Sequence, residues 1–290
     1  MRLRRIAASI AVLAATAGTA ALTAEPATAA PPGVPGYVAL GDSYTSGTYL
    51  PYSLGVQPEC GQSQTNYPKV VATDLHLTFS DVSCGGATVG NFTSAQYGIV
   101  PPQFDALNAG TDVVTVGIGG NDNNTFATAL AGCGGLDALN VFDIGAPCAT
   151  AFGNYFANNI AADQAAIAAA LQQIHTLSPQ AKVFVVGYPD ILPQQGRCYP
   201  TLPLTTGDVA YLNGIERDLN GMLANAAAAN GATYVDTYTP SIGHDACQPV
   251  GTRWIEPVIP SDIQAPVHPN ALGEAGDARA VEAAFTAAGI

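Results

Sequence analysis

The chain has 290 residues, of which 48% are hydrophobic and only 11% are charged, and its formal net charge is −13. The acidic balance argues against nucleic acid or an anionic surface as an electrostatic partner. The apolar content is too high for a disordered chain, and the length fits one α/β domain with a full core.

The first thirty residues have the pattern of a secretory signal peptide. Three arginines precede an apolar run over residues 6–24, and residues 27–29 form a small-x-small cleavage site. A membrane anchor is disfavoured because the run is rich in Ala and Thr, and no later run approaches the length of a bilayer span. We therefore predict a secreted protein in which residues 1–30 are removed and residues 31–290 form a single domain.

Short strands alternate with helices along the rest of the chain. Strands are predicted at residues 37–40, 77–82, 112–118, 182–187 and 233–235. Helices are predicted at residues 66–75, 149–177, 208–229 and 270–288. The third and fourth strands are near-continuous apolar runs, which is typical of strands buried on both faces of a parallel sheet. The alternation predicts a doubly wound α/β sheet.

The cysteine pattern predicts disulfides, since the number is even and the chain is exported. The six residues are Cys60, Cys84, Cys133, Cys148, Cys198 and Cys247. Among the fifteen connectivities that six cysteines allow, we favour pairing in sequence order, which gives three local loops. No Cys-x-x-Cys pair or calcium-loop spacing occurs, so we expect no metal and no other cofactor.

Four polar blocks stand at the ends of the predicted elements. They are Gly41-Asp42-Ser43, Cys84-Gly85-Gly86-Ala87-Thr88, Gly119-Gly120-Asn121-Asp122 and His268-Pro269-Asn270. The carboxyl ends of parallel strands meet at one edge of the sheet, so these blocks can converge there. Acyl transfer needs such a set: Ser43 attacks, His268 takes its proton, and N–H groups stabilise the oxyanion. The donors would be the backbone N–H groups of Ser43 and Gly86 and the side-chain amide of Asn121.

Each block also has a plainer interpretation. Gly-Asp-Ser is a common turn, Asn121 could cap a helix, and His268 alone would more often be a surface histidine. The paired glycines before Asn121 could suggest a phosphate loop, but no Gly-Lys-Ser/Thr follows them. The presence of all four blocks together favours the catalytic interpretation.

The four blocks, in this order, resemble those of the SGNH (GDSL) hydrolase family. The match lies in residues 41–47, 119–122 and 268–270, and its spread covers nearly all of the chain after the signal peptide. Gly187-Tyr188-Pro189 is further similar to the secreted bacterial branch that contains lipases, esterases and phospholipase A enzymes. The resemblance implies the roles given above and three disulfides paired in sequence order. It also implies a three-layer fold with about five parallel strands and helices on both faces.

One position departs from the family pattern. The family usually places an aspartate three residues before the histidine, and here that residue is Ala265. Some members of the secreted branch look like Ser–His dyads in which a main-chain carbonyl holds the histidine Nδ1–H. We therefore favour the Ala265 carbonyl as the group that orients His268, with Asp262 as the alternative. A carbonyl fixes the tautomer but lacks the charge that stabilises an imidazolium.

These observations predict a secreted serine ester hydrolase that acts on fatty-acyl esters. Its partners would be a small-molecule or lipid ester and, transiently, a lipid surface, with no nucleic acid, and we expect a monomer. Apolar loop residues favour a groove for the acyl chain: Tyr49, Leu50, Tyr52, Leu54, Phe126, Ile191, Leu192 and Leu202. A carbohydrate acetylesterase of the same fold is the alternative, although one tryptophan gives little basis for an exposed aromatic row. A non-catalytic secreted binding protein is disfavoured by the four intact polar positions.

Overall fold

A computed structural model describes residues 36–48, 58–260 and 264–290. The predicted signal peptide lies outside the described residues, as do Tyr49, Leu50, Tyr52, Leu54 and Asp262. Within these three described ranges, no helix is long and apolar enough to cross a membrane.

The centre of the described chain is a five-stranded parallel sheet with the order β2-β1-β3-β4-β5. The strands are β1 (Gly36–Gly41), β2 (Thr78–Asp81), β3 (Val113–Gly117), β4 (Lys182–Val186) and β5 (Thr233–Val235). Each coincides with a predicted strand to within about one residue at either end. All five residues of β3 are buried, which explains why its sequence is a continuous apolar run rather than an alternating one.

Helices cover both faces of the sheet. They are α1 (Ser43–Ser46), α2 (Tyr67–Asp74), α3 (Thr125–Thr128), α4 (Gly134–Asp137), α5 (Pro147–Phe152), α6 (Tyr155–Leu177), α7 (Thr206–Ala229), α8 (Tyr238–Ser241) and α9 (Ala271–Ala287). The alternation within β1 shows the layering: Val38 and Leu40 pack in the core formed with α6 and α7. Tyr37 and Ala39 pack on the other side with α2 and α9. The three-layer α/β fold expected from the sequence is therefore confirmed.

Three local details differ from the sequence prediction. The predicted helix 149–177 is divided into α5 and α6, because the chain turns at Gly153 with φ of 50°. The helix predicted from residue 208 begins earlier, because the Thr205 hydroxyl caps it by accepting from the Asp208 N–H. The helix predicted from residue 66 begins at Tyr67, and the Asn66 side chain makes no cap bond but donates to the Thr45 carbonyl at 2.9 Å.

The disulfides join Cys60 to Cys84, Cys133 to Cys148 and Cys198 to Cys247, which is the predicted pairing in sequence order. The third bridge connects the long loop between β4 and α7 to the long loop that follows α8. These loops contribute to a third apolar cluster that includes Leu202, Leu204 and Val267.

The strand order fixes where a ligand can bind. From β1 the chain first adds β2 on one side, and then crosses to add β3, β4 and β5 on the other. Open α/β sheets bind ligands at such a reversal, in the crevice beyond the carboxyl ends of the two central strands. Ser43 follows β1 and Asn121 follows β3, so both predicted blocks flank this crevice.

Candidate active site

Ser43 is presented by a tight turn at the end of β1. Gly41 is the last strand residue, and a Cβ atom there would lie 2.6 Å from the Gly117 carbonyl, so only glycine fits. Asp42 caps α1 because its Oδ1 accepts from the Tyr44 N–H at 2.9 Å. Ser43 is then the first residue of α1 and lies between Asp42 and Tyr44, which this hydrogen bond connects.

The Ser43 hydroxyl and the His268 ring are in direct contact. His268 Nε2 lies 2.7 Å from Ser43 Oγ, and His268 Nδ1 lies 2.7 Å from the Pro266 carbonyl oxygen. A carbonyl can only accept, so Nδ1 carries the proton and the neutral ring leaves Nε2 free to accept from the serine hydroxyl. This is the tautomer that a general base for Ser43 requires.

The carbonyl that contacts His268 Nδ1 belongs to Pro266, one residue beyond the predicted Ala265. Ala265 instead donates its N–H to the Thr48 carbonyl at 3.3 Å. The alternative candidate, Asp262, lies outside the described residues. The reason for the shift is a left-handed backbone at Val267, with φ of 61°, which turns the His268 ring back toward the second preceding carbonyl.

Val267 is a strained residue that its neighbours hold in place. A β-branched residue rarely adopts positive φ, and such strain persists only where the surroundings over-determine it. Its N–H donates to the Glu256 carbonyl at 3.0 Å, and its own carbonyl accepts from the Tyr44 hydroxyl at 2.6 Å. The Glu256 N–H in turn donates to the His268 carbonyl at 3.0 Å. The backbone on both sides of the ring is thus fixed.

The His268 ring is buried among aromatic rings. The Tyr44 ring lies 4.9 Å and the Phe126 ring 5.3 Å from it, centroid to centroid. Burial lowers the pKa of His268 to about 4, although the Pro266 carbonyl acts in the opposite direction. The imidazole is therefore neutral, and able to accept a proton, across the whole range above that value.

We expect kcat/KM to keep its full value down to about pH 5 and to fall with a midpoint near the His268 pKa of about 4. The sign follows from the base, because protonation of the imidazole below its pKa removes the acceptor. Rates on a soluble ester from pH 3 to 9, with folding checked by circular dichroism at each pH, measure this. An acid limb near the ordinary histidine pKa of about 6.5 would contradict the expectation. Its persistence in Asp42→Asn, which removes the buried carboxyl with a pKa of about 7, would assign that limb to His268.

The predicted oxyanion donors lie on adjoining segments. The Cys84 N–H donates to the Gly41 carbonyl at 3.0 Å, which places the second block beside the first. The Asn121 side chain donates to the Ala87 carbonyl at 3.1 Å and makes no helix-cap bond. Across the described part of the chain, the backbone N–H groups of Ser43 and Gly86 have no hydrogen-bond acceptor. Unpartnered N–H groups of this kind are suited to an oxyanion.

A tyrosine connects the serine block to the asparagine block. The Tyr188 hydroxyl donates to Asp42 Oδ2 at 2.6 Å and accepts from the Gly120 N–H at 2.9 Å. Burial raises the pKa of Asp42 to about 7, against the hydrogen bonds from Tyr188 and the Tyr44 N–H, which lower it. The sequence indicated Tyr188 only through the family resemblance, and nothing local in the sequence reveals its contact with Asp42.

Asp122 holds the second and third blocks together. The Val89 N–H donates to both of its carboxylate oxygens, at 3.1 and 3.2 Å. Burial is the largest influence on this carboxyl and raises its pKa to about 6. Asp42 and Asp122 therefore act on backbone N–H groups, as expected for residues that hold turns.

An apolar cavity of about 860 Å³, part of it open to solvent, adjoins the serine–histidine pair. Tyr44 and Val267, the neighbours of Ser43 and His268, line it, although the two catalytic candidates themselves do not. The predicted groove residues Phe126, Ile191, Leu192 and Leu202 are all in its wall, together with Ala129, Leu130, Leu204, Leu212, Ile215 and Leu219.

One acidic side chain, Glu216, lies in the wall of this apolar cavity. The Ile191 N–H approaches both of its oxygens, at 3.3 and 3.4 Å. Burial and the nearby Asp190 carboxyl raise the pKa of Glu216 well above its usual range. Burial therefore favours the neutral carboxyl, against the Ile191 N–H, which lowers the pKa.

The other described histidines lie in different surroundings. His175 contacts the Asn230 carbonyl at 3.0 Å, and His244 contacts the Thr252 carbonyl at 2.6 Å. Among the residues that the structure describes, no group of three His, Cys, Asp or Glu side chains is placed to hold a metal ion.

A parallel sheet of this order, with a Gly-Asp-Ser block after its first strand, is the arrangement of the GDSL class of α/β hydrolases. Residues 39–275 match the model of the GDSL-like Lipase/Acylhydrolase family, and the chain belongs to this family. It is thus a member of a family of ester hydrolases.

The known proteins similar to this chain include two lipases and a phospholipase A1 of Streptomyces. Lipase 2 of Streptomyces coelicolor is 46% identical over 244 residues, which are 82% of this chain and 81% of that protein. The crystal structure of phospholipase A1 from Streptomyces albidoflavus is 29% identical and superposes with a TM-score of 0.72, covering 86% of this chain and 99% of the other. The extracellular lipase of Streptomyces rimosus is 29% identical with a TM-score of 0.67, covering 87% and 100%.

Proposed function

We propose that the protein is a secreted serine ester hydrolase that cleaves fatty-acyl esters through an acyl-enzyme on Ser43. The observation that carries the proposal is the 2.7 Å contact between Ser43 Oγ and His268 Nε2 beside an apolar cavity that opens to solvent. The contact supplies an activated nucleophile, and the cavity supplies room for a hydrocarbon chain.

The reaction would proceed in two halves. Ser43 Oγ attacks the ester carbonyl as its proton passes to His268 Nε2, and the carbonyl oxygen becomes an oxyanion facing the N–H groups of Ser43, Gly86 and Asn121. The C–O bond to the alcohol then breaks, and His268 returns the proton to the leaving alcohol. Water repeats the sequence on the acyl-enzyme and releases the acid and free Ser43.

The orienting group would be the Pro266 carbonyl, which makes the machinery a Ser–His dyad with a main-chain acceptor. The carbonyl holds the Nδ1–H but adds no negative charge next to the transient imidazolium. The buried ring, with its pKa near 4, is a weak base, so the oxyanion donors supply a larger share of the stabilisation than in a carboxylate triad.

The cavity supports fatty-acyl esters over acetylated polysaccharides. Its wall is built mainly of leucine, isoleucine and phenylalanine side chains, which suit a hydrocarbon chain better than a polar sugar. The names of the similar Streptomyces proteins, two lipases and a phospholipase A1, point to the same substrate class.

We propose that the enzyme acts outside the cell as a monomer and needs no cofactor. Its substrate would be a lipid or small-molecule ester and not a nucleic acid. The N-terminal thirty residues have the signal-peptide pattern, and one of the similar structures is that of an extracellular lipase. Three disulfides suit an oxidising compartment.

Hydrolysis of p-nitrophenyl esters from acetyl to palmitoyl, by the purified mature chain and by Ser43→Ala, tests the function. We expect the highest kcat/KM on medium or long chains and a loss on the order of 10⁴-fold or more in Ser43→Ala. Matched circular dichroism spectra of the two proteins show that the variant is folded.

Two other results would change the conclusion. Serine-dependent activity confined to the acetyl ester would replace the lipolytic function with that of an acetylesterase. No serine-dependent activity on any chain length would favour a binding protein with this fold.

A further inference from the structure

The stretch from α4 to α5 exposes five large apolar side chains within nine residues. Their exposed fractions are 47% for Leu136, 90% for Leu139, 49% for Val141, 82% for Phe142 and 68% for Ile144. We call these five side chains the apolar ridge. Single exposed apolar side chains are common, but a contiguous group marks an interaction site.

The backbone under the apolar ridge is fixed by hydrogen bonds. The Arg197 guanidinium donates to the carbonyls of Asn140 and Val141 at 3.1 and 2.9 Å. The Asn140 side chain closes the turn by donating to the Ile144 carbonyl at 2.9 Å and accepting from its N–H at 3.0 Å. The side chains of the ridge are therefore held in solvent by the backbone, and cannot turn inward without breaking these bonds.

The two carboxylates within residues 136–144 are both partnered. Asp143 accepts from the N–H and the hydroxyl of Thr206, each at 2.7 Å, and lies 3.6 Å from Arg197 Nε. Buried Asp137 accepts from the Thr205 N–H at 2.8 Å. Arg197 thus offsets the charge of Asp143, the exposed carboxylate of the two, on a protein whose net charge is −13.

The segment that carries the apolar ridge follows, in the chain, residues that line the apolar cavity. These are Leu130 and Gly134, which lie shortly before Leu136. Thr205 and Thr206, which donate to the two carboxylates of the ridge segment, follow directly after three further residues of the cavity wall. These are Leu202, Pro203 and Leu204. Whatever surface covers the ridge is therefore brought next to the cavity.

We propose that the apolar ridge inserts into the surface of a zwitterionic lipid aggregate and holds the acyl cavity there. The proposal rests on the proposed function and adds the surface on which that function takes place. Apolar side chains gain free energy on leaving water at the acyl boundary, and aromatic rings such as Phe142 are favoured at that depth. A surface of anionic lipids would repel the acidic protein, so charge selects a surface without net charge.

Vesicle binding by Ser43→Ala, which cannot consume the lipid, tests the proposal directly. We expect this protein to sediment with phosphatidylcholine vesicles, and the added changes Leu139→Ser and Phe142→Ser to weaken the partition coefficient by about tenfold or more. A matched control adds Ile242→Ser and Val250→Ser, which remove two exposed apolar side chains elsewhere. The control should bind as Ser43→Ala does, to within about twofold.

A second measurement separates this proposal from the proposed function. With Ser43 intact, Leu139→Ser/Phe142→Ser should hydrolyse dissolved p-nitrophenyl butyrate at the wild-type rate, and should lose activity only on vesicles or emulsions. Equal vesicle binding by the ridge variant and the control would overturn the proposal that the ridge binds lipid, but would leave the proposed ester hydrolysis unaffected. Absence of hydrolysis by the wild type would overturn the function, while ridge-dependent binding would stand.

Two further outcomes would also overturn the proposal. A dimer in sedimentation velocity that becomes a monomer in Leu139→Ser/Phe142→Ser would assign the ridge to a second copy of the chain. Stronger binding to phosphatidylglycerol than to phosphatidylcholine vesicles at low salt would show that the acidic charge does not select the surface.

Discussion

Replacing His268 with alanine is expected to lower kcat/KM on a soluble ester by about 10⁴-fold, because it removes both the acceptor of the Ser43 proton and its later donor. The 2.7 Å contact with Ser43 Oγ places the ring for both transfers. His175 and His244 contact carbonyls of other segments and provide matched controls. Changing either of them to alanine should leave kcat/KM within about threefold of the wild type.

Asp262→Ala decides between a dyad and a triad. Where a carboxylate orients the histidine, its loss costs about 10⁴-fold in kcat. With the Pro266 carbonyl at 2.7 Å from Nδ1, we expect Asp262→Ala to retain kcat to within about fivefold. A loss comparable to that of His268→Ala, in a variant with an unchanged circular dichroism spectrum, would show that Asp262 orients the ring during the reaction.

The double variant Cys198→Ala/Cys247→Ala is expected to lose about 4 kcal/mol of unfolding free energy, since this bridge closes a loop of 49 residues. In the loop-entropy description, the bridge stabilises the fold mainly by lowering the conformational entropy of the unfolded chain. The bridge also connects the loop that carries Leu202 and Leu204 of the cavity wall to the segment that leads to His268. Urea unfolding followed by fluorescence and circular dichroism measures the change.

A matched comparison is Cys133→Ala/Cys148→Ala, which opens a loop of only 15 residues and should cost about 3 kcal/mol. At low temperature both variants should remain active, because the Ala246 N–H still donates to the Ile191 carbonyl and the Asn270 N–H to the Trp254 carbonyl. A loss below about 1 kcal/mol for the 198–247 pair would mean that the unfolded chain is already compact there.

The sequence contained strong local signals for the sheet and for the polar blocks. Strands buried on both faces are continuous apolar runs, so β3 and β4 were recognisable without any tertiary information. Alternation of strands and helices then required a parallel sheet, and a parallel sheet brings strand ends to one edge. Ser43 and Asn121 could therefore be assigned to one site before their contacts were known.

Contacts between distant segments could not be predicted in the same way. Tyr188 meets Asp42 across 146 positions of sequence, and nothing in either neighbourhood indicates the partner. The exposed apolar side chains at residues 136–144 also had no local signature, because an apolar run that faces solvent is indistinguishable in sequence from one that is buried.

The sequence by itself determined the class of fold and the polar blocks of the candidate active site, because these depend on residue type and spacing. Among the fifteen possible cysteine pairings it only favoured the one in sequence order, which the structure then showed. Only the tertiary structure decided that the Pro266 carbonyl lies against His268 Nδ1 and that residues from the 126–134 and 191–219 segments share the cavity wall. Every residue has the same backbone carbonyl, whatever its side chain. The choice between the carbonyls of Ala265 and Pro266 therefore depends on the backbone angle at Val267. That angle is held by bonds from Tyr44 and Glu256, which come from other parts of the chain.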